Sequence, residues 1–148
     1  MTVCTHERKH ILGKIVKGEL ELSPIGKIVE QCWQNIPSSS PYASIDSFVI
    51  MPNHVHGIIA IENQDEKREI AEMKFKPEKR SLSIVVRNFK GAVSIRSREQ
   101  YAGIRIWQSR FYDRIIRNEK ELNAVRKYIE DNPLKWEEEK GNTDNLYM

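Results

Sequence analysis

The spacing of hydrophobic residues in the N-terminal part of the chain predicts a strand, a hairpin and a helix. Residues 2–5 form a short run of β-formers, and the glycine-punctuated stretch 11–22 is expected to form a small hairpin. Ser23 and Pro24 then supply a helix N-cap and a proline in the first turn. Apolar residues follow at helical spacing as far as the proline- and serine-rich stretch 37–41: Ile25, Ile28, Val29, Cys32, Trp33 and Ile36. One face of this helix is therefore buried, and we expect Cys32 to be a core residue.

The stretch FVIMPNHVHGIIAI, residues 48–61, belongs to two predicted strands with a tight connection. Val, Ile and Phe dominate 45–50 and 54–61, and Met51-Pro52-Asn53 between them is typical of a turn. Side chains two residues apart on a strand point to the same face. His54 and His56 are therefore expected to project together from the second strand, while Val55 faces the core.

The C-terminal half is predicted to hold two further helices around a more irregular segment. Residues 62–80 form a charged connector, after which Ser81 opens a helix with apolar residues at helical spacing: Leu82, Val85, Val86, Phe89 and Val93. The apolar and aromatic stretch 104–116 is expected to be a strand or a pair of extended pieces. Asn118 and Glu121 resemble a capping box and start a helix from Glu119 to about Asp131, which Pro133 is expected to stop.

This order of elements, βαββαβ followed by a helix, predicts an α+β fold. It suits a ferredoxin-like sandwich with an antiparallel sheet, in which the first and third strands are central. The histidine strand 54–61 would then be held in the middle of the sheet, with one face covered by two helices. We expect one domain over residues 1–136, an added C-terminal helix, and a polar tail over 137–148.

Charge is distributed unevenly along the 148 residues. The net charge is +3, but eight basic residues and one acid, Glu78, lie between Lys74 and Arg98. A segment this one-sided indicates a surface that faces a polyanion. No apolar run approaches the roughly 18 residues of a membrane span, so no membrane association is expected. Cys4 and Cys32 form no disulfide framework, which favours the cytoplasm.

The candidate chemistry lies on the histidine strand and on the last helix. Two imidazoles on one face of a strand can chelate a divalent ion, although a bare His-x-His is also found as ordinary turn and surface residues. Tyr128 and Asn132 are four residues apart and share a helix face. Each has a plain structural alternative, because a tyrosine packs its ring at a helix edge and an asparagine before proline ends helices. His6 and His10 are expected to be loop residues.

Three motifs in this order, MPNHVHGI, WQSRFYD and KYIEDNPLKW, resemble the single-tyrosine HUH transposases. The resemblance is closest to the REP-associated tyrosine transposases and their relatives in the insertion-sequence 200/605 group, and it extends from about Thr2 to Trp136. It implies that His54, His56 and Asn132 hold a divalent metal, Mg²⁺ or Mn²⁺. It also implies that Tyr128 attacks DNA to form a 5′-phosphotyrosine. Tyr112, in the WQSRFYD motif, is the rival nucleophile.

The resemblance further implies single-stranded or hairpin DNA as the substrate and leaves open whether the protein works as a homodimer. The residues expected to bind DNA are mostly cations, with one aromatic residue that could stack on a base: Arg87, Lys90, Arg96, Arg98, Arg105, Arg110, Arg114, Arg117 and Trp107. Phe111 and Tyr112 could also stack, but we expect at least one of Trp107 and Phe111 to be a core residue.

Three alternative functions are weighed against this interpretation. A relative that binds hairpin DNA without cutting it would keep the same fold and residues. A small-molecule phosphohydrolase of the histidine-triad type would need a third histidine where Ile58 stands, and a two-histidine phosphodiesterase would need a second His-x-Thr/Ser motif. A purely structural metal site would normally show four ligands. The sequence therefore favours a DNA strand-transfer enzyme.

Overall fold

The computed structural model describes residues 1–62 and 81–138. The connector predicted over 62–80 lies outside these residues from position 63 onward, and so does the predicted tail from position 139. In the described residues the chain forms strands β1 (Thr2–Cys4), β2 (Gly13–Val16), β3 (Glu19–Leu22), β4 (Ala43–Met51) and β5 (His54–Ile61). The helices are α1 (Pro24–Gln34), the short α2 (Ile36–Ser39), α3 (Leu82–Ser97) and α4 (Glu119–Glu138).

The main sheet is antiparallel, with the strand order β1-β5-β4, and this confirms the predicted central place of the histidine strand. The stretch 104–116 lies along the outer side of β1 but does not form a continuous strand. Two antiparallel bridges join it to β1, Thr2 with Tyr112 and Thr5 with Trp107. Because the bridged positions lie three residues apart on the β1 side and five apart on the other, the regular ladder cannot continue between them. The fourth strand of the expected ferredoxin-like sheet is therefore replaced by this edge segment.

The predicted hairpin over 11–22 is confirmed as β2 and β3, which pair with each other apart from the main sheet. The predicted helix after Ser23 is also confirmed, since the Ser23 hydroxyl accepts a hydrogen bond from the Gly26 N–H at 3.0 Å. The helix ends at Gln34, just before the proline- and serine-rich stretch 37–41 that was predicted to end it. The chain then forms one more helical turn, α2, which contains Pro37.

The main core lies between one face of the sheet and helices α1 and α3. Trp33 of α1 is fully buried and packs against Phe48 and Phe89, with ring centroids 5.5 Å apart in both pairs. Gly57 of β5 lets the Trp33 ring approach, because a Cβ at this position would lie 2.4 Å from the ring atom Cζ2. Cys32 is buried there, as predicted.

The opposite face of the sheet is covered by α4. Val125 and Ile129 pack against Ile58 of β5, with support from partly buried residues around them: Val49, Ile116 and Leu122. The predicted capping interaction is present, because the Glu121 N–H donates to Asn118 Oδ1 at 2.8 Å.

The prediction that Pro133 stops this helix is wrong. The helix runs on to Glu138 with Pro133 inside it. Proline removes one intrahelical hydrogen bond and crowds the preceding turn, and packing beyond Pro133 offsets this cost. Trp136 packs against the rings of His54 and His10, and Leu134 lies against Gly18 of the β2–β3 turn. Asn132 therefore remains in the helix. Among the described residues, no helix is long and apolar enough to cross a membrane.

Candidate active site

His54 and His56 lie on the face of β5 that α4 covers. They alternate with Val55, which is in the core on the other face, and they precede Ile58, which packs under α4. Their rings are 6.5 Å apart between centroids and nearly perpendicular, and the residues are only 4% and 3% exposed. The central strand thus holds two adjacent imidazoles rigidly in a shielded position.

Each imidazole is oriented by a hydrogen bond at its Nδ1 atom. His54 Nδ1 lies 2.7 Å from Asn53 Oδ1, and His56 Nδ1 lies 2.6 Å from Thr2 Oγ1. An amide oxygen accepts but cannot donate, so His54 carries its proton on Nδ1 and donates it to Asn53. The hydroxyl of Thr2 can accept from His56 in the same way. In these tautomers the Nε2 atom of each ring keeps a lone pair, which is the state that a metal ion requires.

Both histidines are neutral at physiological pH. Burial lowers the pKa of His54 to about 3, with further lowering by the neighbouring His56 and by Arg8. Burial also lowers the pKa of His56 to about 4, and the positive N-terminal amino group adds to this effect. Neutral imidazole is the form that binds metal ions, so no proton has to be removed before a cation can bind.

Helix α4 aligns a stripe of side chains above the two histidines. The ring of Tyr128 lies 5.6 Å from the ring of His56 between centroids, and the ring of Trp136 lies 6.4 Å from that of His54. Asn132 is one turn from each of them along the helix and is 9% exposed. By helix spacing it lies between the two contacts along the same stripe. The structure thus brings Tyr128 beside His56 and His54, and Asn132 is buried one turn farther along the helix.

Tyr112, the rival nucleophile, lies elsewhere. It belongs to the edge segment, where its N–H and C=O are bonded to the backbone of Thr2. Strand β1 separates it from the histidine strand β5, which corresponds to two strand spacings, or roughly 10 Å. Tyr128 packs its ring against that of His56.

Several site residues were missed at the sequence level. Asn53 could have been noticed because it precedes His54 directly, but Thr2 is brought to His56 by the register between β1 and β5. Trp136 was given no role in the site, and it packs against both His10 and His54. His10 is a loop residue, as predicted, whereas His6 begins a short 3-10 helix, His6–Arg8.

Most of the cations that were expected to bind DNA are exposed, and they lie on α3 and along the edge segment: Arg87, Arg96, Arg98, Arg105, Arg110, Arg114 and Arg117. Arg114 forms an ion pair with Glu121, and Lys90 is half-buried with its ammonium on the Gln108 carbonyl. Trp107 is 5% exposed and packs against Phe89 in the core. Its predicted role in stacking on a base does not fit this burial, whereas the expectation of a core residue is confirmed.

No cluster of three His, Cys, Asp or Glu side chains that could hold a metal occurs in the part of the chain that the structure describes. The set at this site has two imidazoles and the side-chain amide of Asn132. An amide oxygen is a hard ligand of the kind that Mg²⁺ and Mn²⁺ accept, and imidazole suits Mn²⁺. The chemistry of these donors thus fits a weakly held divalent ion with open coordination positions.

Comparison with known proteins places this site in a family context. No family model matches the chain. An uncharacterized protein of Haemophilus influenzae is 34% identical over 155 residues, an alignment that covers 100% of this chain and 83% of that protein. The chain belongs to the same protein family as this Haemophilus protein.

Two further similarities relate the chain broadly to REP-associated tyrosine transposases. A putative REP-associated tyrosine transposase of Haemophilus influenzae is 29% identical over 96 residues, which are 64% of this chain and 51% of that protein. A solved structure of a REP-associated tyrosine transposase bound to a REP hairpin shares the fold, with a TM-score of 0.63 and 22% identity. That match covers 90% of this chain and 64% of the solved one, so the chain spans half to two thirds of the length of these two proteins.

Proposed function

We propose that the protein is a metal-dependent DNA strand-transfer enzyme of the single-tyrosine HUH type. It would cut single-stranded DNA beside a hairpin and rejoin it through a 5′-phosphotyrosine. The observation that carries the proposal is the packing of Tyr128 against His56, with centroids 5.6 Å apart, on a helix that also directs Asn132 and Trp136 to the histidine pair. The similarity to REP-associated tyrosine transposases, one of them bound to a REP hairpin, supports hairpin DNA as the substrate.

His54, His56 and Asn132 would hold the divalent ion through two imidazole nitrogens and one amide oxygen. Such an ion polarises a phosphate and neutralises charge that develops on its oxygens. The protein supplies the rest of the site. Asn53 and Thr2 keep the imidazoles in the ligand tautomer, burial keeps them neutral, and α4 keeps the phenol of Tyr128 beside them.

The reaction conserves the number of phosphoester bonds. The phenolic oxygen of Tyr128 loses its proton to water and forms a bond to phosphorus, while the bond from phosphorus to the 3′-oxygen breaks and that oxygen takes up a proton. The products are a 5′-phosphotyrosine and a free 3′-hydroxyl. Because a phosphodiester remains in the intermediate, the 3′-hydroxyl of another strand can reverse the step and join the DNA without ATP.

Tyr128 and His56, which it contacts, belong to the same chain. A dimer is therefore not needed to bring these residues together. The proposed enzyme can form its tyrosine site within one subunit.

The proposal is tested by incubating the protein with a labelled hairpin that carries single-stranded flanks from the DNA around its own gene, with Mn²⁺. A covalent adduct on a denaturing gel is expected, and it should be lost in both Tyr128→Phe and His54→Ala while Tyr112→Phe retains it. Tight hairpin binding without an adduct, in Mn²⁺ and in Mg²⁺, would instead identify a DNA-binding protein that does not cut.

A further inference from the structure

A second basic site lies outside the tyrosine site, in a groove between α3 and the chain that follows it. The groove has a volume of about 460 Å³. Three cations line it, Lys90, Arg98 and Arg105, and none of the described residues that line it is acidic. A groove of this size can hold a small ligand, and its positive charge favours an anionic one.

Lys90 and Arg105 lie close enough to repel each other, and neither forms an ion pair with another residue that the structure describes. The ammonium of Lys90 donates to the Gln108 carbonyl, and Arg105 Nε donates to the Trp107 carbonyl at 3.3 Å, so both side chains are anchored to consecutive residues of one wall. Burial lowers the pKa of Lys90, and repulsion by Arg105 adds to this. An ammonium has three donors and a guanidinium five. Each uses one of them on the wall and can offer others to a phosphate that relieves the repulsion.

The uncharged part of the groove leaves room for more than a phosphate. A Cβ on Gly91, in the α3 wall, would meet nothing within 4 Å, and the same holds for Gly103 across from it. Tyr101 adds an aromatic ring to the lining and Ser94 a hydroxyl. The cations form an anion-binding end of the groove, and the open space beside it has an aromatic neighbour. This arrangement suits one nucleotide whose phosphate contacts the cations.

The groove lies near the sheet edge that a DNA strand would cross after the tyrosine site. Trp107, in the groove wall, bridges to Thr5, and the residue before Thr5, Cys4, pairs with His54. From β5 across β1 to the edge segment there are two strand spacings, roughly 10 Å. The groove is on the α3 side of the sheet and the histidines are on the α4 side, so a DNA strand would pass around the edge segment to reach from one site to the other.

We propose that this groove is a second DNA subsite, which binds one phosphate-bearing nucleotide of the single strand that flanks the hairpin. The inference rests on the proposed function for its substrate, but it concerns binding and not cleavage. The same chemistry could bind a free nucleotide, so the test must separate the two sources.

The most direct variant is Gly91→Glu, which places a carboxylate and its stem in the open space. Glutamate is a better helix former than glycine, so α3 should fold normally, and unfolding curves check this. Ser83→Glu adds the same charge at an exposed position of α3 outside the groove and is the matched control. Arg105→Gln removes a groove cation without filling the space, and Lys27→Gln, at an exposed position of α1 outside the groove, is its control.

Binding is measured by fluorescence polarisation without divalent metal, with a hairpin that has a single-stranded flank and with the same hairpin trimmed blunt. For the flanked hairpin we expect Gly91→Glu to raise Kd roughly tenfold and Arg105→Gln to raise it several-fold. The salt dependence of Kd should fall by the amount expected for the loss of about one phosphate contact. Ser83→Glu and Lys27→Gln should shift Kd by less than about twofold, and the blunt hairpin should not distinguish Gly91→Glu from Ser83→Glu.

Equal affinity of Gly91→Glu and Ser83→Glu for the flanked hairpin would overturn the proposal. It would also be overturned if a deoxynucleoside monophosphate bound the groove while flanked and blunt hairpins bound equally, since the groove would then serve a free nucleotide. Loss of the tyrosine adduct with flank-dependent binding intact would count against the proposed cleavage and leave the subsite standing, so the two failures are distinguishable.

Discussion

Arg126 of α4 holds Asp46 of β4 with two parallel hydrogen bonds, from Nε to Oδ1 at 2.9 Å and from Nη2 to Oδ2 at 2.7 Å. The β4–β5 register shifts between Ile45 and Phe48, so Asp46 lies in a bulge of the strand. A bidentate pair fixes direction as well as distance. Because Tyr128 is two residues after Arg126, this pair fixes where the phenol lies over the histidines.

Replacing Arg126 with glutamine should therefore slow adduct formation more than it weakens folding. Exposed ion pairs contribute little to stability, whereas a small displacement of a reacting group can reduce a rate up to roughly a hundredfold. We expect a single-turnover rate roughly ten- to a hundredfold lower, with hairpin affinity nearly unchanged. Lys127→Gln removes the same charge from the next, exposed position of α4 and should react at the normal rate. If both variants reacted equally slowly, the rate would depend on the charge of α4 and not on how the helix is held against β4.

The same pair gives a pH dependence of stability. Hydrogen bonds from Arg126 and from the Ser47 N–H hold the pKa of Asp46 well below its ordinary 3.8. A carboxyl whose pKa is lowered by folding stabilises the protein fully above its unfolded pKa, and this contribution is lost as the pH falls further. In urea unfolding, wild type should be more stable than Asp46→Asn at pH 6, and the difference should shrink below about pH 4. A difference that stays constant between pH 6 and pH 3 would contradict this.

The hydroxyl of Thr2 should matter for metal binding. Thr2→Val keeps the shape of the side chain but removes the hydrogen bond to His56 Nδ1, and outer-shell partners of this kind are typically worth 10- to 100-fold in metal affinity. Titration calorimetry with Mn²⁺ should show a loss in this range, and Thr2→Ser, which retains the hydroxyl, should bind nearly normally. Identical Mn²⁺ affinity in Thr2→Val and wild type would mean that the hydroxyl does not orient the ligand.

Gly57 should tolerate no side chain. An added Cβ would lie 2.4 Å and 2.6 Å from two ring atoms of the fully buried Trp33, which cannot move without disturbing the core. We expect Gly57→Ala to lower the free energy of unfolding by about 1–3 kcal/mol. Gly91→Ala is the matched control, because its Cβ meets nothing and alanine favours a helix by up to about 1 kcal/mol. Thermal unfolding compares them, and similar midpoints in the two variants would contradict the packing argument.

The sequence was sufficient to predict the elements that depend on local patterns. Ser23 and Ser81 mark helix starts that the structure confirms through hydrogen bonds to the Gly26 and Ile84 N–H groups. The alternation of side-chain direction along 54–61 predicted that both histidines lie on one face of the central strand. Local signals determine these features, so a single sequence reveals them.

Features that depend on tertiary packing could not be predicted in this way. Pro133 is a local stop signal, but the contacts of Trp136 and Leu134 carry α4 past it. The Thr2–His56 and Arg126–Asp46 hydrogen bonds join residues 54 and 80 positions apart, and they follow from strand register and helix docking. The edge segment 104–116 was expected to be a strand or a pair of extended pieces, and the mismatch in its spacing against β1 leaves two isolated bridges.

The central claim is that Tyr128 becomes covalently bonded to DNA, and mass spectrometry tests it most directly. The wild-type protein is reacted with a flanked hairpin in Mn²⁺, the adduct is digested with nuclease and protease, and the modified peptide is sequenced. The account predicts that the nucleotide remnant lies on Tyr128, in the peptide that contains YIEDNP. A remnant on Tyr112, or on any other residue, would contradict it.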